Sequence, residues 1–324
     1  MSYRTALSEV LTGVVGPAAE ATALQGRFPR GAVTALGRAG LLGLTVSTEF
    51  GGGGQGLPAA ADVVARTARV CPATAAVLQS HYTAVAVIEA YGGPWPRAEI
   101  AAGRHLASLA LAESESKPEP ESDAGSASMW EAEGDGPAAE TQLLVPRTAA
   151  TRSGEVVALR ARKQRVVAAG EADLYVWSSR PLTAPDGLTL WAVPAHAPDL
   201  FVPARPGTAG PRGSATSTVF ADPVLVPAEA MLGADGGGLD IVLRTVLPWL
   251  LELRAAAGTR RPPALEPSPD TAIDRAIDTG IDPVLDTALD PALDTTIDPA
   301  LAPALAPARD LGGSRPPAGS LAAS

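Results

Sequence analysis

Between Gly210 and Gly233 the chain carries its most informative stretch, GPRGSATSTVFADPVLVPAEAMLG. A Pro-Arg-Gly-Ser turn leads into residues 216–220, whose side chains alternate with the period of two that is typical of a half-buried strand. The run Val224-Leu225-Val226 predicts a second short strand. This strand should end at Pro227, because proline cannot donate a hydrogen bond to a neighbouring strand. The stretch therefore predicts two consecutive β-strands joined by a short break.

Upstream of this stretch, residues 1–108 have helical spacing and few strand signals. The first candidate helix has an apolar face, and a second begins at Pro29. A third candidate covers 58–69, and a fourth covers 73–91, where apolar residues recur at steps of three and four. The face of the first helix contains Leu7, Val10, Leu11, Val14 and Val15. We expect an all-α domain over 1–108.

Residues 109–228 predict a central antiparallel β-barrel or sandwich domain. Short β-rich runs are separated by Gly, Pro and Asp, as such a domain requires. The helical pattern returns within 229–260, where one helix is predicted over 239–257 with a kink at Pro248. The fold class expected is therefore α+β. The β-rich runs are 156–159, 165–167, 174–177, 188–193, 201–202, 216–220 and 224–226.

Residues 261–324 have a different composition. From Asp270 onward a tetrapeptide repeat places Asp at every fourth position and Ile or Leu at another. Prolines within the repeat each remove an intrahelical hydrogen bond, at about 3 kcal/mol each. So few kinds of residue, without aromatics, bury too little apolar surface to offset the chain entropy. A disordered tail is predicted here.

The overall composition excludes several classes of protein. The net charge of −10 argues against a nucleic-acid or anionic-membrane partner, and no stretch is apolar enough to span a membrane. The N-terminus has no continuous apolar segment typical of a signal peptide, so a cytoplasmic location is expected. The single cysteine, Cys71, excludes an intramolecular disulfide. His81, His105 and His196 lack metal-ligand spacing and are expected to be partly buried or exposed, so no metal site is predicted.

Two motifs in this order resemble the acyl-CoA dehydrogenase family. The first is the Arg-Gly-Ser turn with its strands and the following Val-Pro and Leu-Gly pairs. The second lies far upstream, where Gly40-Leu41-Leu42-Gly43-Leu44 precedes Glu49-Phe50-Gly51-Gly52 and is similar to a family stretch between N-terminal helices. The resemblance covers about residues 25–258. It implies a helical domain, a β-domain and a C-terminal helical domain, which this chain holds only in truncated form.

The resemblance implies FAD as the cofactor and an acyl thioester such as acyl-CoA as the substrate. In the family a carboxylate removes the α-proton while the β-hydride passes to the flavin. The positions matching one flavin-contacting loop include Leu111, Ala112, Glu113 and Ser122. Here Glu113 fits the family pattern, whereas Ala112 stands at the position of a threonine.

A second flavin-contacting segment is matched by residues 162–168. Lys163 fits its pattern, but Arg165 replaces a tryptophan and Val167 replaces a threonine. Arg212 in the Arg-Gly-Ser turn is a further candidate for contact with the cofactor, with a structural role in the turn as the alternative. Glu252 is a weak candidate for the catalytic base, because the aligned base position of some members is not acidic here.

These departures leave several functions open. The chain is expected to be a flavin oxidoreductase that is impaired alone, or the base-lacking partner of a complete family subunit. The alternatives are a non-catalytic binding or scaffold descendant, a decaying homologue and, less favoured, a flavin-dependent monooxygenase of the same fold. The predicted helix over 239–257 presents leucines that truncation leaves uncovered, so a homo- or hetero-oligomer is expected. The side chains concerned are Leu243, Val246, Leu247, Leu250 and Leu251.

Overall fold

The computed structural model describes residues 2–113, 146, 150–203 and 210–258. The tail predicted over 261–324 and the candidate Ser122 lie outside these residues. The N-terminal part is helical, as the sequence predicts. Its helices are α1 (Tyr3–Val10), α2 (Gly16–Gln25), α3 (Arg30–Arg38), α4 (Leu57–Ala68), α5 (Pro72–Tyr91) and α6 (Pro94–Ala101).

Helix α5 organises the core because it is buried on nearly all sides. Its first half contributes Val77, Leu78 and Tyr82 to a cluster that also contains residues of the other helices and of the β-domain. Its second half contributes Val85 and Ile88 to a second cluster. The helical and β-rich segments therefore share their hydrophobic cores across residue 108.

Two short π-helical turns occur at matching places, Leu11–Val15 and Val242–Val246. Each lies just before a proline, Pro17 or Pro248. In each, the residue preceding the proline donates its N–H to the carbonyl five residues back. The proline ring crowds the carbonyl four residues before it, and a widened turn relieves that clash. The kink predicted at Pro248 is thus realised as a π-turn between α7 (Gly238–Ile241) and α8 (Leu247–Gly258).

The β-domain consists of two four-stranded sheets. One has the order β1-β4-β5-β8 and the other the order β2-β3-β7-β6. The first sheet is mixed, because β1 pairs with β4 in parallel, whereas an antiparallel arrangement was predicted throughout. The α+β class itself is confirmed. The strands are β1 (Ala107–Ala110), β2 (Ala150–Ser153), β3 (Val156–Val166), β4 (Leu174–Ser179), β5 (Thr189–Pro194), β6 (Leu200–Phe201), β7 (Ser217–Pro227) and β8 (Met231–Leu232).

The opening stretch forms one long strand, β7, rather than the two predicted. Leu159 of β3 faces Val224, while Ala161 faces Ala221, so β7 holds one extra residue at Asp222-Pro223. A β-bulge accommodates the proline there, because the bulged residue needs no partner in the ladder. The strand ends at Pro227, as predicted.

The glycine-rich motif around residues 40–54 forms a loop that packs tightly against its neighbours. The N–H of Gly53 donates to the carbonyl of Gly43, and that of Gly54 donates to the carbonyl of Val46. A Cβ added at Gly43 would lie 2.6 Å from the carbonyl oxygen of Ala101. The close approach of backbone segments explains the glycine at this position.

The prediction of uncovered leucines on the last helix is correct for Leu243, Leu247 and Leu251, which are exposed. It is wrong for Val246, which is buried, and for Leu250, which packs against the second cluster. Both residues lie on the side of the helix that packs against the second cluster, which contains residues of α5. Within the part of the chain that the structure describes, no helix is long and apolar enough to cross a membrane.

Candidate functional site

A buried ion pair joins the two segments that resemble flavin-contacting loops. Lys163 lies on the inward face of β3, and its Nζ donates to Glu113 Oε1 at 2.5 Å. The same nitrogen donates to the carbonyl of Ser178 at 2.7 Å and to its Oγ at 2.8 Å. The Ser178 hydroxyl in turn donates to the carbonyl of Leu111 at 3.1 Å. The pair therefore ties the end of β1 to β3 and β4.

Lys163 is fully buried, and Glu113 is nearly so. Burial lowers the pKa of Lys163 to about 8, while the carboxylate of Glu113 acts in the opposite direction. All three ammonium N–H groups have acceptors within the described residues, and the Trp177 ring lies 5.3 Å from Nζ. This set of acceptors matches the charged form of the lysine at neutral pH. The arrangement is suited to holding strands together.

On the first loop, the side chains at the positions that should face a flavin supply few groups that could bind it. Leu111 is buried, and Ala112 is half-buried with its carbonyl accepting from the N–H of Gln164 at 2.9 Å. The side chain of Ala112 is a methyl group, so it supplies no hydroxyl. Glu113 is occupied by Lys163.

The second segment is held by its backbone. Arg165 is exposed and has a φ of +54°, and Ala168 has the same positive φ. Val167 is half-buried, and its carbonyl accepts from the Ser108 hydroxyl at 2.5 Å. A bulge between Lys163 and Val166 accounts for the turn of the chain here. No aromatic ring or hydroxyl stands at Arg165 or Val167.

The Arg-Gly-Ser turn packs against this second segment. The N–H groups of Ala168 and Ala169 donate to the carbonyls of Ser214 and Ala215. Arg212 itself is exposed, and its guanidinium donates to the carbonyl of Leu24 at 3.3 Å. The structure therefore brings the 165–169 and 212–216 segments together, while the Arg212 side chain contacts the end of α2.

Gly213 explains why this turn needs its glycine. Its φ is +89°, a conformation that costs any other residue energy. A Cβ there would lie 2.5 Å from the Thr22 methyl carbon and 3.0 Å from the carbonyl of Arg27. The Arg-Gly-Ser motif is thus a docking point between the β-domain and α2.

The remaining candidate, Glu252, lies exposed on α8. Two surface grooves of about 630 and about 420 Å³ occur elsewhere. The larger is lined by α1, the end of α3 and the glycine-rich loop, and the smaller by β2, residues 182–183, Met231 and Asp235. None of the predicted flavin positions lines either groove. Ala112, Arg165 and Val167 supply neither the hydroxyls nor the aromatic ring that the family resemblance implies for contact with an isoalloxazine ring, so these positions do not fit one.

No sequence pattern signals the roles of two polar residues, the buried His81 and the half-buried Asp235. His81 is completely buried rather than partly exposed: the N–H of Ala107 donates to its Nδ1 at 3.1 Å, and its Nε2 lies 2.9 Å from the carbonyl of Leu42. Nε2 therefore carries the proton, and burial lowers the pKa of His81 to about 4. An apolar helix such as α5 gives no signal for this role beyond a lone histidine among aliphatic residues.

Asp235 closes the loop before β5. It accepts hydrogen bonds from the backbone of Leu182 and Thr183 and from the Thr189 hydroxyl, at 2.7–2.9 Å. Burial alone would raise its pKa, but these hydrogen bonds outweigh burial and hold the pKa of Asp235 well below its usual range. Among the residues that the structure describes, no group of three or more His, Cys, Asp or Glu could hold a metal ion.

The fold and this site together define an α+β protein built from a helical layer and a two-sheet β-domain with a shared core. Residues 2–102 match the family described as acyl-CoA dehydrogenase, N-terminal domain. The solved structure of butyryl-CoA dehydrogenase from Megasphaera elsdenii has the same fold, with a TM-score of 0.65 at 20% identity. That match covers 79% of this chain and 63% of the other.

Curated proteins similar in sequence to this chain have names of the same kind. An acyl-CoA dehydrogenase of Bacillus subtilis (strain 168) is 27% identical over 271 residues, covering 81% of this chain and 65% of the relative. A cyclohex-1-ene-1-carbonyl-CoA dehydrogenase of Geobacter metallireducens is 25% identical over 241 residues, covering 74% and 58%. The match over residues 2–102 and these relatives support the resemblance of this chain to the acyl-CoA dehydrogenase family. The chain spans less than two thirds of the length of these relatives.

Proposed function

We propose that this chain is an acyl-CoA dehydrogenase-like member of a flavin oxidoreductase family that does not oxidise an acyl thioester on its own. The family reaction needs a carboxylate at the α-proton and a flavin that accepts the β-hydride. Both requirements fall on positions that this chain has changed. It acts as the partner subunit of a complete family member, and that complete member acts on acyl-CoA.

The ion pair between Lys163 and Glu113 is the observation that carries this proposal. These are the two residues that match the flavin-contacting segments, and they bind each other in the interior. The positions expected to supply hydroxyls, Ala112 and Val167, carry methyl groups instead. The two retained residues, Lys163 and Glu113, therefore hold the β-domain together. The hydroxyls that would bind the flavin ring are absent at positions 112 and 167.

The second supporting observation concerns the base. Glu252 is exposed on α8 and lines neither of the two grooves. A base for a weakly acidic α-proton works in a site that excludes water, where its pKa can be raised. An exposed carboxylate does not meet that condition.

The test is a titration of the full-length protein with FAD, followed by flavin fluorescence. The variant A112T/V167T restores the two hydroxyls that the family resemblance implies. Two additional hydrogen bonds contribute about 1–3 kcal/mol, which corresponds to affinity about 5- to 150-fold tighter. Val156→Thr adds a hydroxyl at an exposed strand position and serves as the matched control.

We expect the native chain and the Val156→Thr control to show no saturable binding, and the double variant to gain it. Tight FAD binding by the native chain, with turnover of an acyl-CoA and an artificial electron acceptor, would refute the proposal. Binding that appears only after a complete family subunit is added supports the role of a partner subunit.

A further inference from the structure

The helix formed by α7, the π-turn and α8 has an exposed apolar stripe. Leu243, Leu247 and Leu251 follow one another at four-residue steps and are 50%, 43% and 57% exposed. The opposite side of the same helix is buried through Val242, Val246 and Leu253. The helix is thus anchored on the core and carries a second apolar face towards the surface, which is unusual for a helix with a single partner.

The charges at the two ends of this stripe are opposite. Asp240 and Arg254 are both exposed, one before Leu243 and one after Leu251. Along this stripe the leucines and the two end charges are placed symmetrically about Leu247: leucines lie four residues on either side, and charged residues lie seven on either side. When two such helices pack antiparallel about Leu247, a residue that lies k positions before Leu247 on one helix faces the residue that lies k positions after Leu247 on the other helix.

We propose that this stripe is a homodimer interface in which two copies of the chain pair their α7–α8 helices antiparallel. A two-fold axis passes through Leu247, so Leu247 meets its own counterpart and Leu243 meets the partner's Leu251. Asp240 faces the partner's Arg254, and the same pair forms twice because the interface is isologous. Opposite charges at the ends of the stripe fix the direction of pairing, as they do between helices of coiled coils.

A second copy fits this surface better than an unrelated helix. Any apolar helix could cover three leucines, but only a partner with the reversed order of charges also pairs both ends. The chain itself has that order. Asp240 already binds Arg244 of its own helix at 2.6 Å, with both side chains more than half exposed. A carboxylate accepts several hydrogen bonds, so Asp240 can bind both arginines.

The size of the surface sets the expected strength. From Asp240 to Arg254 the helix is about 22 Å long, at 1.5 Å per residue. A contact between single helices of this length falls at the small end of specific interfaces. The dimer should therefore dissociate on dilution in the micromolar range. Sedimentation of the full-length protein should pass from twice the chain mass of 32.7 kDa to that mass over a concentration series.

Cysteine crosslinking tests the geometry. The chain has a single cysteine, Cys71, which is buried and does not compete. In the antiparallel pair, Leu247→Cys meets its own counterpart, whereas two Leu243→Cys residues lie eight residues apart along the axis, or about 12 Å. A bis-maleimide with a shorter span should crosslink Leu247→Cys to a covalent dimer and leave Leu243→Cys monomeric.

Mixing provides the matched control. Leu243→Cys protein mixed with Leu251→Cys protein should crosslink, although neither should do so alone. Efficient crosslinking of Leu243→Cys with itself would overturn the antiparallel arrangement. A monomer at all concentrations would overturn the interface altogether, whether the stripe is free or covered by another part of the same chain.

Charge exchange tests the ends of the stripe independently of crosslinking. Asp240→Arg alone places two like charges against each other at each end, and so does Arg254→Asp alone. Each variant should lose dimerisation, while an equimolar mixture of the two should recover it, because the mixed pair has complementary ends. Circular dichroism checks that both variants are folded. Failure of the mixture to recover, with both variants folded, would contradict the proposal.

Discussion

The buried pair of Lys163 and Glu113 allows a quantitative test of what holds the β-domain together. Replacing Lys163 by Met leaves the Glu113 carboxylate in the interior without its cation. Breaking a buried pair by removing one partner costs about 3–5 kcal/mol, because the remaining charge is uncompensated. Replacing Glu113 by Gln leaves the ammonium in the same position and has a similar expected cost.

The double variant K163M/E113Q should lose less than the sum of the two single variants. Contacting residues of one network couple by up to about 3 kcal/mol, and we expect a coupling of about 2–3 kcal/mol here. The same strand supplies a control. Arg160 of β3 and Asp222 of β7 lie 2.8 Å apart, but their side chains are 72% and 68% exposed. Exposed pairs couple by about 0–1 kcal/mol.

The assay is urea unfolding at neutral pH, followed by circular dichroism, for the native chain, the two cycles and their single variants. The free energy of unfolding comes from linear extrapolation. A coupling at Lys163–Glu113 no larger than that at Arg160–Asp222 would refute the structural role assigned to the buried pair. Equal m-values across the variants would show that the denatured states are comparable.

Three further predictions concern stability. Between pH 6.5 and about 4 the unfolded chain binds a proton at His81 that the folded chain does not, so stability falls with falling pH, by about 2 kcal/mol between pH 7 and pH 5. Urea unfolding across this range should show the free energy of unfolding falling with pH. His81→Gln keeps a donor and an acceptor and should remove this dependence on pH. An unchanged dependence would contradict the assignment of the proton to His81. Gly213→Ala should lower the free energy of unfolding by about 2–4 kcal/mol, because the backbone is strained there and the added Cβ overlaps its neighbours. Gly31→Ala is the control: a Cβ there meets nothing within 4 Å, so this change should stabilise helix α3 by up to about 1 kcal/mol. Equal effects in thermal melts would refute the steric argument. Ala215 has a φ of +50°, so Ala215→Gly should stabilise the folded protein by about 0.5 kcal/mol. Ala192→Gly in β5 should instead destabilise the folded protein. Thermal melts in which Ala192→Gly is the more stable of the two variants would contradict this prediction.

The helical half could be predicted from the sequence because its signal is local. Apolar residues at three- and four-residue steps predict a helix over 73–91, which the structure shows as α5, and a helix predicted from Pro58 corresponds to α4. Strand β1 was missed, because Ala107-Ser108-Leu109-Ala110 contains no β-branched or aromatic residue. Its parallel pairing with β4 depends on contacts almost seventy residues away, which periodicity does not report.

The opening stretch shows a related limit. The pair Asp222-Pro223 predicts a break, and proline does prevent a regular ladder hydrogen bond there. A bulge lets the strand continue past it as β7, since β3 is long enough to pair on both sides. Whether such a dipeptide ends a strand or bends it is decided by the neighbouring strand.

The site was predicted residue by residue, but its central contact was not. Glu113 and Lys163 were each identified as matches to separate segments, and their union required the folded sheet. His81 was interpreted as an ordinary histidine because no sequence pattern reveals complete burial. Arg212 was assigned two alternatives, and the structure places it against the carbonyl of Leu24.

We propose that the positions expected to bind flavin do not bind it in this chain. The most direct measurement is the visible absorption spectrum of the full-length protein, purified, incubated with excess FAD and then desalted. We expect no flavin band to remain with the protein. A flavin-to-protein ratio near one after desalting would contradict it.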